Sequence, residues 1–264
     1  MNQNFPVKKS LKALILDMDG VLWKQAEPIG DLPNIFKKVK EKGLRVALVT
    51  NNATLTVQQY VDKLAKFGVK LEPDQIINSP QAVSYYLRKH YPTGSKVYII
   101  GEAGLREEVI KDGYTIAERD VVAVVVGMDW QLNFEKLCRA TLNIRSGAEF
   151  IATNGDRTFP TPEGLVPGVG AILSLLETAS GQKPLILGKP EPILYEIAMN
   201  HLQVTPSESL IVGDRLETDI LGAQKIGSLS AVVLSGVSSM SDVEKWNPPP
   251  DFICQDLEEL IDLI

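Results

Sequence analysis

Two aspartates, Asp17 and Asp19, interrupt the apolar run 14–23, LILDMDGVLW. A buried strand does not normally end in two charges one residue apart, because burying a charge is costly unless it is paired or ligating. An Asp-Gly pair on its own reads as a turn. A calcium loop is a poor fit, since Val21 stands where the D-x-D-x-D-G ladder needs its next carboxylate. The company of the pair raises it above a turn. VTNN at 49–52 supplies Thr50 and Asn51, GKPEP at 188–192 supplies Lys189, and VGDRLETDI at 212–220 supplies Asp214 and, five residues on, Asp219. A lone D-x-D is a weak signal. Four such pieces, in this order and each at an expected strand end, put carboxylates, a hydroxyl and an ammonium group in reach of one another, which is the material of a catalytic site.

The elements that must position these residues alternate along the chain. LKALILDMD reads as a buried strand, LPNIFKKVKEKG as an amphipathic helix ending at Gly43, and LRVALVT as a second strand with a helix from about 56 to 67 after it. Towards the C-terminus the pattern resumes as strand PLILG, helix PEPILYEIAMNHL, strand SLIVGD, helix TDILGAQKIG and strand LSAVVLSG. Continuous apolar strands between helices imply a parallel sheet covered on both faces. Such sheets bind ligands at the carboxyl ends of their strands, so Asp17, Thr50 and Asp214 should gather on one edge. Between them, KVYIIG, VVAVVVGM, EFIATN and the helix NFEKLCRATLNIRSG make a second unit. The expected fold is α/β: a Rossmann-like parallel-sheet core, 1–80 and 182–264, interrupted by an inserted α/β cap domain, 81–181.

Composition narrows the partners. The chain has 264 residues, 44% of them apolar, and a net charge of −6. Without a basic excess, neither nucleic acid nor an acidic membrane surface is an expected partner. Two cysteines make neither a disulfide framework nor a zinc site and fit a reducing compartment. The start, MNQNFPVKKS, carries no signal peptide, and no apolar run approaches the roughly 20 residues of a membrane span, so the expected location is the cytoplasm.

At DMDG, VTNN, GKPEP and VGDRLETD the chain closely resembles the haloacid dehalogenase (HAD) superfamily of phosphatases. Within it, the resemblance is to the subfamily that includes NagD and the 4-nitrophenyl- and phosphoglycolate-phosphatases, with a C2-type α/β cap inserted between the second and third motifs. It covers nearly the whole chain: FIATNGD at 150–156 is similar to the subfamily's cap segment, and GDRLETDILGAQKIG followed by VVLSGVSS to its C-terminal run. The resemblance implies a phosphomonoesterase of small phosphorylated metabolites. It makes Asp17 the nucleophile, which attacks phosphorus in line and forms an acyl phosphate.

A carboxylate approaching a phosphate dianion needs cations between them, and Mg²⁺, which binds few carboxylates plus substrate phosphate, suits the task. Asp17, the backbone carbonyl of Asp19 and Asp214 would hold it, Lys189 would add a second positive charge, and Thr50 with backbone N–H groups near Asn51 would complete the phosphate cradle. Asp19 would protonate the leaving alkoxide and then deprotonate water. Dehalogenases of the superfamily lack this second aspartate, because halide needs no proton. Asp219 is expected behind the ligands, orienting Lys189 or a metal-bound water.

Asn154, Asp156 and Arg157 form a polar cap loop that could face substrate, and Trp23 either walls the pocket or is plain core. His90 and His201 read as surface or helix-end residues and Cys138 as core. Families of this kind commonly dimerise through the cap. Two other readings compete: a phosphotransferase or mutase on the same core, and a non-catalytic receiver that stores phosphate on an aspartate.

Overall fold

The computed structural model of the chain describes residues 11–161 and 163–264. The segment MNQNFPVKKS lies outside the described residues. Two compact units divide the chain. One runs to Thr50 and takes in Val61–Ile77 and Tyr195–Ile264; the other is Asn51–Tyr60 with Asn78–Leu194. The expected insertion, 81–181, lies inside the second.

The first unit holds a sheet with strand order Phe252–Cys254, Leu229–Val233, Ser209–Gly213, Ala13–Leu16, Arg45–Thr50, Ile76–Asn78. The pairings from Phe252–Cys254 across to Arg45–Thr50 are parallel. Ala13–Leu16 is buried along its whole length, as expected of a central strand covered on both faces. Its register is Leu16 against Val212 on one side and Leu48 on the other. The helix Leu32–Glu41 shows why these segments fold locally. Asp31 accepts from the Asn34 N–H, a proline sits in the first turn, and Leu32, Ile35 and Val39 line one buried face. Gly43, at φ +71°, ends the turn that leads into Arg45–Thr50.

The second unit has a five-stranded sheet in the order Leu185–Ile186, Glu149–Ala152, Ala123–Val126, Lys96–Ile100, Thr115–Ile116, parallel throughout. Its core gathers Tyr98, Ile100, Val124, Val126, Phe150 and, from the helix Val169–Ser180, Ile172, Leu173 and Leu176. An antiparallel hairpin pairs Thr158–Thr161 with Gly164–Pro167.

Two expectations change here. PLILG does not return to the first sheet: Leu185 and Ile186 pair with Ile151 and Ala152, so this strand completes the second unit's sheet. A short apolar strand carries no mark of which sheet it will join. Cys138 is exposed rather than core. The helix Phe134–Arg145 buries Ala140, Asn143 and Ile144, and Cys138 falls on another face.

Candidate active site

In the first unit, register gathers Asp17 and Asp214. Leu16 and Val212 are partners, so Asp17 and Asp214 leave adjacent parallel strands at nearly the same level, and the Asp17 N–H bonds to Val212 O at 2.9 Å. Thr50 ends the strand on the other side of Ala13–Leu16 and is 2% exposed. The Asp214 carboxylate is fixed by the Val237 N–H, which donates to Oδ2 at 2.8 Å. Gly20, at φ +85°, sits close against it: a Cβ there would meet Asp214 Oδ2 at 2.4 Å. Asp219 lies on a wide π turn, Leu216–Ile220, and its Oδ2 accepts the Arg215 N–H at 3.2 Å.

One carboxylate oxygen each from Asp17, Asp214 and Asp219 falls within 4.8 Å of the others, and all three residues are buried. Three carboxylates gathered out of water repel one another strongly unless a cation joins them. An all-oxygen donor set is the kind that hard divalent cations take. The residues present therefore fit a Mg²⁺-type ion. Asp219, expected behind the ligands, stands in the same cluster as Asp17 and Asp214. Asp19 is less buried and accepts the Trp23 indole N–H on Oδ1 at 2.8 Å.

The other residues singled out in the sequence meet in the second unit. The Asn51 side chain grips the main chain of Lys189: the Lys189 N–H donates to Asn51 Oδ1 at 2.7 Å, and Asn51 Nδ2 donates to Lys189 O at 3.1 Å. Asn51 Nδ2 also lies 3.4 and 3.5 Å from the two Asp156 carboxylate oxygens. Asn154 Nδ2 donates to Asn51 O at 2.9 Å, while its Oδ1 accepts the Asp156 N–H at 3.1 Å. Both ends of the Asn154 amide are thus spent inside the protein, and the residue is 4% exposed. In that loop Asp156 is half-buried and Arg157 is exposed. Lys189 itself is 3% exposed.

Family models match the chain in two stretches: haloacid dehalogenase-like hydrolase over residues 14–115, and HAD-hydrolase-like over residues 186–260. An acid sugar phosphatase of Staphylococcus aureus (strain USA300) is 36% identical over 254 residues, 96% of this chain and 98% of that one. The chain belongs to the haloacid dehalogenase-like hydrolases. Among solved HAD structures, NagD from E. coli K-12 superimposes with a TM-score of 0.88 at 34% identity, covering 97% of this chain and 100% of that one. A glycerol phosphate phosphatase from Mycobacterium tuberculosis, in complex with magnesium, gives a TM-score of 0.89 at 33% identity, covering 96% of this chain and 77% of that one. The HAD fold of a NagD-like phosphatase is therefore present, and the chain is a phosphomonoester hydrolase. That assignment removes the receiver alternative.

Sequence reasoning missed two contributors. Ser79 Oγ donates to Asn51 O at 2.6 Å, which helps seat the Asn51 grip on Lys189. Lys63 sits over the Trp23 ring. Neither stands in a motif: Ser79 opens a helix after a capping asparagine, and Lys63 belongs to a charged helix face that reads as solvated.

Proposed function

We propose that this HAD hydrolase is a Mg²⁺-dependent phosphomonoesterase of small phosphorylated metabolites that works through an aspartyl-phosphate on Asp17. The observation that carries the reading is the buried convergence of Asp17 and Asp214, at the carboxyl ends of adjacent parallel strands, with Asp219 from the π turn that follows. Asp17, Asp214 and the Asp19 carbonyl would hold Mg²⁺, with Asp219 beside them. The ion would offset the charge of the phosphate and of the carboxylates around it. An Asp17 oxygen attacks phosphorus as the P–O bond to the leaving group breaks. Asp19 gives that alkoxide its proton, and the product alcohol departs. Asp19 then takes a proton from water, which attacks the acyl phosphate, releases inorganic phosphate and restores the Asp17 carboxylate. Thr50 and the Asn51 N–H would cradle the phosphate. Lys189 would supply a fixed positive charge, with its backbone steadied by Asn51. Asp156 and Arg157 would meet the organic part of the substrate.

Sugar and glycerol phosphates, named for two of the relatives, head the substrate classes to try. Two free cysteines suit a reducing compartment such as the cytoplasm. The test is kcat/KM across a panel of sugar, glycerol, glycolate and nucleotide phosphates, with Mg²⁺ and after EDTA treatment. The reading expects turnover of several esters that EDTA abolishes and Mg²⁺ restores, with Ca²⁺ a poor substitute. Full turnover in metal-free buffer would overturn it.

A further inference from the structure

Trp23 has no exposed surface, and a buried indole N–H needs an acceptor. Its acceptor is Asp19 Oδ1, at 2.8 Å. The loop between the two is tightly wound: the Leu22 N–H bonds to Met18 O at 2.8 Å and the Gly20 N–H to Trp23 O at 2.7 Å. The indole is held from its other sides as well. Lys63 Nζ lies 4.0 Å from the ring centroid, and the Phe67 ring packs against it at 6.0 Å and 42°. Lys63 is itself tied to Gln25 O at 3.1 Å, and Gln25 keeps the left-handed φ of +59° at the tip of the short Trp23–Lys24/Glu27–Pro28 hairpin.

A tryptophan that only filled the core could satisfy its N–H with any backbone carbonyl and would need no cation on its face. Here the acceptor is the proton-transfer carboxylate. The cation over the ring draws electron density from it, which makes the N–H a stronger donor. Burial pulls the Lys63 ammonium below the usual lysine range, and the Asp19 charge acts against that pull, so the two charges sense one another around the indole.

We propose that Trp23 is a positioning residue for Asp19: its N–H fixes Oδ1, leaves Oδ2 to exchange the proton with leaving group and water, and is held in aim by Lys63. The inference rests on the acid–base part given to Asp19 above. The aimed oxygen matters most when the leaving group is a poor one. An alkyl phosphate needs its oxygen protonated as the bond breaks, whereas a 4-nitrophenyl leaving group needs little help.

The experiment uses the full chain with Mg²⁺ and compares glycerol phosphate with 4-nitrophenyl phosphate. Trp23→Phe keeps a ring beside Phe67 and Lys63 and removes the N–H donor; the smaller ring also leaves a cavity, whose cost falls on stability and on both esters alike, so the split between esters is the readout. We expect kcat for the alkyl ester to fall by roughly 10- to 30-fold, kcat for the aryl ester by less than about 3-fold, and KM to stay within about 2-fold for both. In an Asp19→Asn background the same change should cost less than about 2-fold, because the group it aims is gone. Equal losses on both esters, no loss on either, or an undiminished cost in the Asp19→Asn background would overturn the proposal. Should Trp23→Phe fail to fold by thermal melting, Lys63→Met at a half-buried helix position reads the same split at about 3-fold, and no split there overturns it equally. A wild-type enzyme that cleaves no ester of the wider panel would remove the proposed Asp17–Asp19 mechanism and this inference with it; an active wild type without the split removes the inference alone.

Discussion

Gly213 closes the Ser209–Gly213 strand one residue before Asp214, and its smallness sets how near Asp219 can come. A Cβ at this position would stand 2.1 Å from Asp219 Cγ, 2.2 Å from its Cβ and 2.4 Å from Oδ2. Carbon atoms rest at about 3.5 Å, so Gly213→Ala must drive the Asp219 side chain back by about 1.4 Å. Because Asp219 Cβ is part of the clash, rotating χ1 does not relieve it, and the Leu216–Ile220 turn has to shift. Overpacking of this kind costs about 1–3 kcal/mol. At about 2–4 °C per kcal/mol for chains of this size, Tm should fall by about 2–12 °C. The displaced carboxylate leaves the cluster with Asp17 and Asp214, and loss of such a partner weakens metal binding by about 10- to 100-fold. Calorimetric titration with Mg²⁺, beside a thermal melt of the same preparation, reads both quantities. A clear loss of Tm with Mg²⁺ affinity unchanged would refute a part for Asp219 in holding the ion, and no change in either would refute the packing argument itself.

Asp19→Asn keeps the backbone carbonyl, so Mg²⁺ affinity should hold while alkyl esters lose far more turnover than 4-nitrophenyl phosphate and the acyl phosphate accumulates; rapid-quench kinetics on both esters checks this, and equal losses without an adduct would reduce Asp19 to a turn residue. Burial pushes the Cys254 thiol up to about 11, with Glu259 and Asp256 adding to the effect. Its thiolate is then roughly one part in a thousand at pH 8, so iodoacetamide should add once to the folded chain, at exposed Cys138, and twice after denaturation; mass spectrometry showing two additions to the folded chain would contradict this burial.

The first unit was legible because its signals are local and repeat. Apolar runs such as 13–16 and 209–213 announce buried parallel strands, and a parallel sheet necessarily brings the residues after them to one edge. Asp17 and Asp214 follow from that with no tertiary information. The rest depends on distances between segments that no pattern encodes. PLILG is as apolar as a core strand, yet its two ladder residues find Ile151 and Ala152. Asn154 reads as a polar cap-loop residue able to face substrate, yet its amide is spent on Asn51 O and the Asp156 N–H. Asp219 enters the carboxylate cluster because Gly213 admits it and a π turn carries it there, and a π turn leaves no mark in composition. Trp23 was visible as a residue of interest, but neither of its two readings, pocket wall or plain core, included the 2.8 Å hydrogen bond to Asp19.

The covalent step at Asp17 is tested most directly by trapping it. The full chain with Mg²⁺ is mixed with a ³²P-labelled ester, quenched in acid within milliseconds, digested and sequenced by mass spectrometry. The mechanism predicts an acid-stable, hydroxylamine-sensitive phosphoryl group on the peptide that carries Asp17, formed and lost at rates that account for turnover, and absent from a folded, inactive Asp17→Asn variant. Turnover with no adduct at Asp17, or an Asp17→Asn variant that keeps even about a tenth of wild-type activity, would contradict it.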